Sequence, residues 1–141
     1  MNFSDADGIK TTIIPPGGYL IYAAHEKDVK SATTGLGIVD IWDATIGMNN
    51  TSPGQLILYD APDGEGTEID RVNQITGNWF AGKASPDYVS MERIDPELLG
   101  DNPENWQHNN QININGVDAG NNPILGTPKA PNSPSQGPVS S

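Results

Sequence analysis

The chain has 141 residues, enough for one domain with tails, and carries 7 Lys+Arg against 18 Asp+Glu, a formal net charge of −11. Its basic residues are scattered, which removes the clustered Lys and Arg that a phosphate-tracking or anionic-membrane surface needs. It has no cysteine, so disulfides, thiolate nucleophiles and zinc–thiolate sites are excluded.

Hydrophobic residues make up 35%, with 16 Gly and 12 Pro, which predicts a small ordered core surrounded by long loops. No run approaches the roughly 20 apolar residues of a membrane-spanning helix. The first residues lack the basic-then-apolar order of a signal peptide. Export, if it occurs, would rest on sequence outside this stretch.

In chain order, Asp5-Ala6-Asp7-Gly8 has a turn composition. Ile9–Ile14 reads as a strand stopped by Pro15-Pro16, and Gly17-Gly18 reverses the chain. Tyr19–Ala24 is apolar on both faces and is expected to be a central strand. His25–Ser31 is charged enough for one or two helical turns, and Ala32–Gly37 is loop. Ile38–Trp42 is a further short strand, and Gly47–Gly54 is irregular by composition.

Gln55–Asp60 is a clear strand, and Ala61–Gly66 a hairpin connection in which Asp63-Gly64 supplies the positive φ of a tight turn. Thr67–Asn73 returns antiparallel. Asn78–Ala81 brings Trp79 and Phe80 into a short strand or corner. Tyr88–Ile94 is expected to pack through Tyr88, Val89, Met91 and Ile94 before Pro96 stops it. Asn102–Trp106 reads as a turn seating Trp106, and Gln107–Pro123 is Asn-rich, with Ile112 and Ile114 as a candidate edge strand. Strands every 10–15 residues or so, joined by Gly/Pro/Asn turns, predict an all-β antiparallel sandwich or barrel. The domain is placed at residues 1–126. Residues 127–141, rich in Pro, Ser and Gly, are read as a disordered tail or linker.

Candidate chemistry is sparse. Asp60-Ala61-Pro62-Asp63-Gly64-Glu65 has the acidity of a calcium loop, but Pro62 takes a ligand position and no distal bidentate Glu closes it. A hairpin turn is the better reading, and a turn is again favoured at Asp5 and Asp7. His25 and His108 have no partner at metal-ligand spacing. Gly35-Leu36-Gly37 has no following helix to present N–H groups to a phosphate, and no Ser stands in a nucleophile elbow. Glu92 and Asp95 could be an acid–base pair, but Arg93 between them favours a structural ion pair. Trp42, Trp79 and Trp106, with Tyr19, Tyr22, Tyr59 and Tyr88, are assigned to packing over a sugar-stacking platform. A chain this poor in apolar residues needs them in its core. The sequons at Asn2, Asn49 and Asn50 carry no weight in an Asn-rich chain.

Seven stretches, in order, resemble the lamin-tail domain family in its bacterial form: IIPPGGYLIYA (13–23), QLILYDAPDG (55–64), IDRV (69–72), WFAG (79–82), SMERIDP (90–96), NPENW (102–106) and GTPKAPNS (126–133). The resemblance implies an immunoglobulin-like β-sandwich. Family members begin with strands upstream of the proline–glycine turn, so the expectation is an N-terminally truncated copy with an exposed sheet edge. The loops at 40–54 and 107–125 are longer than in compact members.

The function expected on these grounds is a non-catalytic immunoglobulin-like module of a larger exported or cell-surface protein. It would bind, adhere or anchor to an unknown protein or cell-surface polymer. The alternative is an accessory domain tethering a secreted nuclease, phosphoesterase or other hydrolase, since bacterial relatives accompany such enzymes. A self-standing hydrolase using Asp or Glu and a metal is the remaining reading, and no ligand set in the sequence supports it. No catalytic, cofactor or metal residue is assigned, and neither direct nucleic-acid binding nor membrane insertion is expected.

Overall fold

The computed structural model describes residues 3–48, 54–62, 64–73 and 78–135. The described chain is all-β, its only helical pieces being 3-10 turns at Phe3–Asp5 and Pro103–Asn105. Seven short strands form three small sheets: β1 (Gly8–Ile9), β2 (Tyr22–Ala23) and β3 (Ile41–Trp42) in the order β1-β3-β2, the hairpin β4 (Leu56–Tyr59) with β5 (Glu68–Val72), and β6 (Met91–Arg93) with β7 (Trp106–His108). No helix among the described residues is long and apolar enough to cross a membrane.

Proline, glycine and asparagine account for how short the strands are. Pro16 and Gly17 (φ 70°) make the central pair of a turn in which the Gly18 N–H donates to the Pro15 carbonyl at 2.8 Å, the geometry of a type II turn. The reversal is as expected, but residues 10–14 before it stay outside the ladder, with Ile13 and Ile14 exposed. Tyr19–Ala24 is also not the central strand. Only Tyr22–Ala23 pairs, in parallel with Ile41–Trp42, and it is Ile41–Trp42 that sits between two neighbours. The reason lies in burial: Val39 and Ile41 are fully buried, whereas every residue of Tyr19–Ala24 keeps some exposure. His25–Ser31 makes turns rather than helix, and Lys30 ends it by bridging to both Gly37 and Val117.

The β4–β5 hairpin forms where expected, antiparallel, with Leu56 opposite Val72 and Leu58 opposite Asp70. Gly64 takes φ 80° in its turn. Asp63, residues 74–77, the Gly47–Gly54 loop beyond Met48 up to Gly54, the Asn2, Asn49 and Asn50 sequons, and residues 136–141 of the tail lie outside the described residues. Trp79 and Phe80 form a corner, not a strand. The Tyr88–Ile94 strand contracts to Met91–Arg93, preceded by a bridge at Val89. Of its expected packing residues only Val89 is buried; Tyr88, at φ 49°, and Ile94 face solvent.

The interior is unusually polar. Among the described residues the buried apolar ones are Val39, Ile41 and Val89, while the buried polar or charged ones are Asp40, Asp43, Asn73, Glu92, Asn105, Asn109 and Ser133. Side-chain amides replace ladder bonds in the Asn-rich stretch, where Ile112 and Ile114 form no strand. The Asn110 carboxamide oxygen accepts from the backbone of Ile112 (3.0 Å) and Asn113 (2.8 Å), and Asp118 does the same for Gly120 and Asn122. These are Asx turns, which satisfy backbone donors locally.

Residues 127–133, whose composition suggests a linker, are hydrogen-bonded into the domain. Thr127 and Ser133 donate to Glu92, Asn132 donates to the Arg93 carbonyl at 2.9 Å, and Lys129 pairs with Asp40. The domain boundary expected at 126 therefore falls inside the hydrogen-bonded body.

Candidate functional site

Glu92 on β6 is a buried carboxylate with both oxygens engaged. One oxygen accepts from Asn109 Nδ2 at 2.9 Å and Thr127 Oγ1 at 2.8 Å; the other accepts from the Ser133 backbone N–H at 3.0 Å and from the Ser133 hydroxyl. Burial by itself would raise its pKa, yet these bonds from Ser133, Asn109 and Thr127 outweigh it and hold the carboxyl below the usual glutamate range. A general acid needs the opposite shift and a free proton position. Glu92 is therefore a structural anion.

The expected Glu92–Arg93–Asp95 ion pair is not formed. Successive strand side chains point to opposite faces, and Arg93 reaches instead to Asp70 on β5 and to the Leu98 carbonyl, lying 6.0 Å above the Trp106 ring. Asp95 caps its own turn, its carboxylate accepting from the Glu97 N–H at 2.9 Å. Sequence reasoning saw the charge alternation but not the partners, which lie 17 to 41 residues away from Glu92.

The other candidates are also occupied locally. Asp60 accepts from the Thr67 N–H at 2.6 Å and pins the hairpin turn. Asp7 accepts from the Ala44 N–H at 2.7 Å. His108 Nδ1 accepts from the Gly82 N–H at 2.9 Å, and the exposed His25 donates its backbone N–H to Asp28. Gly35 (φ 70°) closes a turn by donating to the Ser31 carbonyl at 2.8 Å. Among the described residues no three His, Asp or Glu groups gather to hold a metal. A cavity of about 410 Å³ near Lys10 and Lys129 offers no free cation, since Lys10 pairs with Glu26 at 3.1 Å and Lys129 with Asp40.

The tryptophans are half-buried, each in its own setting. Trp42 lies against Gly8 and under Lys10, Trp79 against Gly54, and Trp106 donates its indole N–H to the Gly100 carbonyl at 2.8 Å. Trp106 also belongs to a larger feature that sequence reading did not find. A cavity of about 900 Å³ opens between the first sheet and the β4–β5 hairpin. Phe3, Tyr22, Ile46 and Met48 line it together with Leu56, Leu58 and Val72.

Phe3 and Tyr22 meet edge-on, centroids 5.6 Å apart, and the Tyr22 hydroxyl donates to Asp43 at 3.3 Å. Burial, and then the neighbouring Asp43 charge, push the Tyr22 pKa up, so the phenol stays protonated. Leu56, Leu58 and Tyr59 remain about half exposed, at 45%, 47% and 45%. This aggregate could be detected in the sequence only as an excess of apolar residues in QLILY, with no sign of what faces them.

No family model, no curated protein and no solved structure matches the chain.

Proposed function

We propose that this chain is a non-catalytic, immunoglobulin-like binding or anchoring module of a larger exported or cell-surface protein, and that the cavity beside β4 is its contact face. The observation that carries the reading is the half-exposed Leu56–Leu58–Tyr59 wall, an apolar surface of the kind that marks interaction sites. The most buried glutamate supports it from the other side: both oxygens of Glu92 are taken up by fixed donors from Asn109, Thr127 and Ser133. The resemblance to bacterial lamin-tail domains fits a role in positioning rather than turnover.

The test is saturable binding of the fluorescently labelled chain to bacterial cell-wall sacculi, capsular polymers and purified exported proteins. Binding at about micromolar affinity or tighter, weakened by Leu58→Asp in a variant with an unchanged circular-dichroism spectrum, is the expected result. Absence of saturable binding to every class, or metal-dependent cleavage of a phosphoester by the chain alone, would overturn the proposal.

A further inference from the structure

The shape of the large cavity says more about its occupant. Every residue of β4 from Leu56 to Tyr59 lines it, although successive side chains of a strand point to opposite faces. Asp70, Arg71 and Val72 of β5 line it as well, so the cavity reaches both faces of the hairpin, the Leu56, Leu58 and Val72 face among them. Among the described residues the outer edge of β4 has no strand beside it: there β4 pairs with β5 alone, and no backbone or side-chain group outside the hairpin bonds to the main chain of 56–59. A two-stranded hairpin is marginal in isolation and gains from a third strand, and an unpaired edge is a template for one.

From this we infer that the cavity accepts an extended polypeptide strand of a partner protein, added to β4, with alternate apolar side chains inserted among Tyr22, Met48, Leu56 and Leu58. This inference rests on the binding-module reading and names the class of partner. Main-chain bonds to β4 would supply affinity, and pockets for alternate side chains would supply specificity.

Charge selects among strands. The chain carries −11 overall, which disfavours a second copy of itself and favours a basic partner. Within the cavity wall Asp70 is paired with Arg93 and Arg71 with Glu68, whereas Asp60, at the end of β4, bonds only to a backbone N–H and has no cationic partner among the described residues. A Lys or Arg on the incoming strand would meet Asp60.

The experiment is an amide NMR titration of the full chain with a blocked peptide of about ten residues, the upper strand length, alternating Val and Thr with Lys at two polar positions. Its Glu counterpart and a version with a central proline serve as comparisons. The Lys peptide is expected to shift the amides of Leu56–Tyr59 and slow their exchange, to bind about tenfold more tightly than the Glu peptide, and to lose binding when proline interrupts it. Asp60→Asn, which keeps an oxygen for Thr67, is expected to narrow the Lys-over-Glu preference. The inference is overturned if no peptide perturbs these amides, if only an oligosaccharide does, or if they broaden with the chain's own concentration through self-pairing. If saturable surface binding persists while every peptide fails, only strand addition falls; if both fail, the module reading falls with it.

Discussion

Glu92 and Ser133 stand 41 residues apart in sequence, and the Ser133 backbone N–H and hydroxyl both donate to the same Glu92 carboxylate oxygen. With Asn109 and Thr127 on the other oxygen, one side chain ties two separate segments, around Asn109 and 127–133, to β6. With Val39, Ile41 and Val89 the buried apolar residues among those described, such a hub replaces much of what a larger apolar core would do. Glu92→Ala leaves several buried donors without an acceptor and is expected to destabilise the fold by about 3 kcal/mol. Ser133→Ala removes one hydroxyl bond to a charged acceptor and is expected to lose about 1.5 kcal/mol. Urea titration of both variants checks the order; equal losses would show that the Ser133 hydroxyl carries most of the hub.

The same carboxylate predicts an acid limb. Its folded pKa lies below the ordinary glutamate value of about 4.3, so the unfolded state binds the extra proton. The stabilisation is fully present above the ordinary value and is lost as pH falls through the folded one. Asp43, held low by the Thr45 hydroxyl and N–H, shifts in the same direction. Unfolding midpoints measured from pH 6 down to about 2 are expected to fall below pH ~4.3, with a shallower slope for Glu92→Gln. An unchanged slope in that variant would mean that another carboxylate governs acid unfolding.

Local rules could be read from the sequence, and long-range partners could not. Pro16-Gly17 and Gly64 fix their turns through backbone sterics alone, so the turn and the β4–β5 hairpin were legible. Tyr19–Ala24 looked central because all its residues are apolar or small, but burial is decided by what packs opposite, and Ile41 won that position. Residues 127–133 resemble a linker because they open a stretch, 127–141, that Pro, Ser and Gly dominate. Their order comes from Glu92, Arg93 and Asp40, which no local pattern connects to them. The cavity beside β4 was hidden for the same reason, since its lining residues come from distant parts of the chain.

Gly100 reports on how closely the 98–101 segment crosses β5. A Cβ built there would lie 2.1 Å from the Arg71 carbonyl oxygen, a backbone atom that cannot swing aside. Gly100→Ala is therefore expected to separate the segment from β5, disturb the neighbouring Trp106–Gly100 hydrogen bond, and destabilise by about 2 kcal/mol. A red shift in tryptophan emission together with a lower urea midpoint checks this. Gly17→Ala has open space around it and is expected to lose only the smaller penalty of its positive φ, about 1 kcal/mol.

The 127–135 segment gives the sharpest contrast between composition and structure. Ending the chain at Gly126 removes the Thr127 and Ser133 donors to Glu92, the Lys129 partner of Asp40, and the Asn132 bond to the Arg93 carbonyl at once. Glu92 and Asp40 then stay buried without their full set of counter-groups, an arrangement that is strongly destabilising. A chain ending at 126 is expected to lose more stability than Glu92→Ala, and a chain ending at 135 to keep a cooperative transition. Thermal unfolding of the two truncations decides it. Equal midpoints would return residues 127–135 to the role of a linker and leave Glu92 held by Asn109 alone.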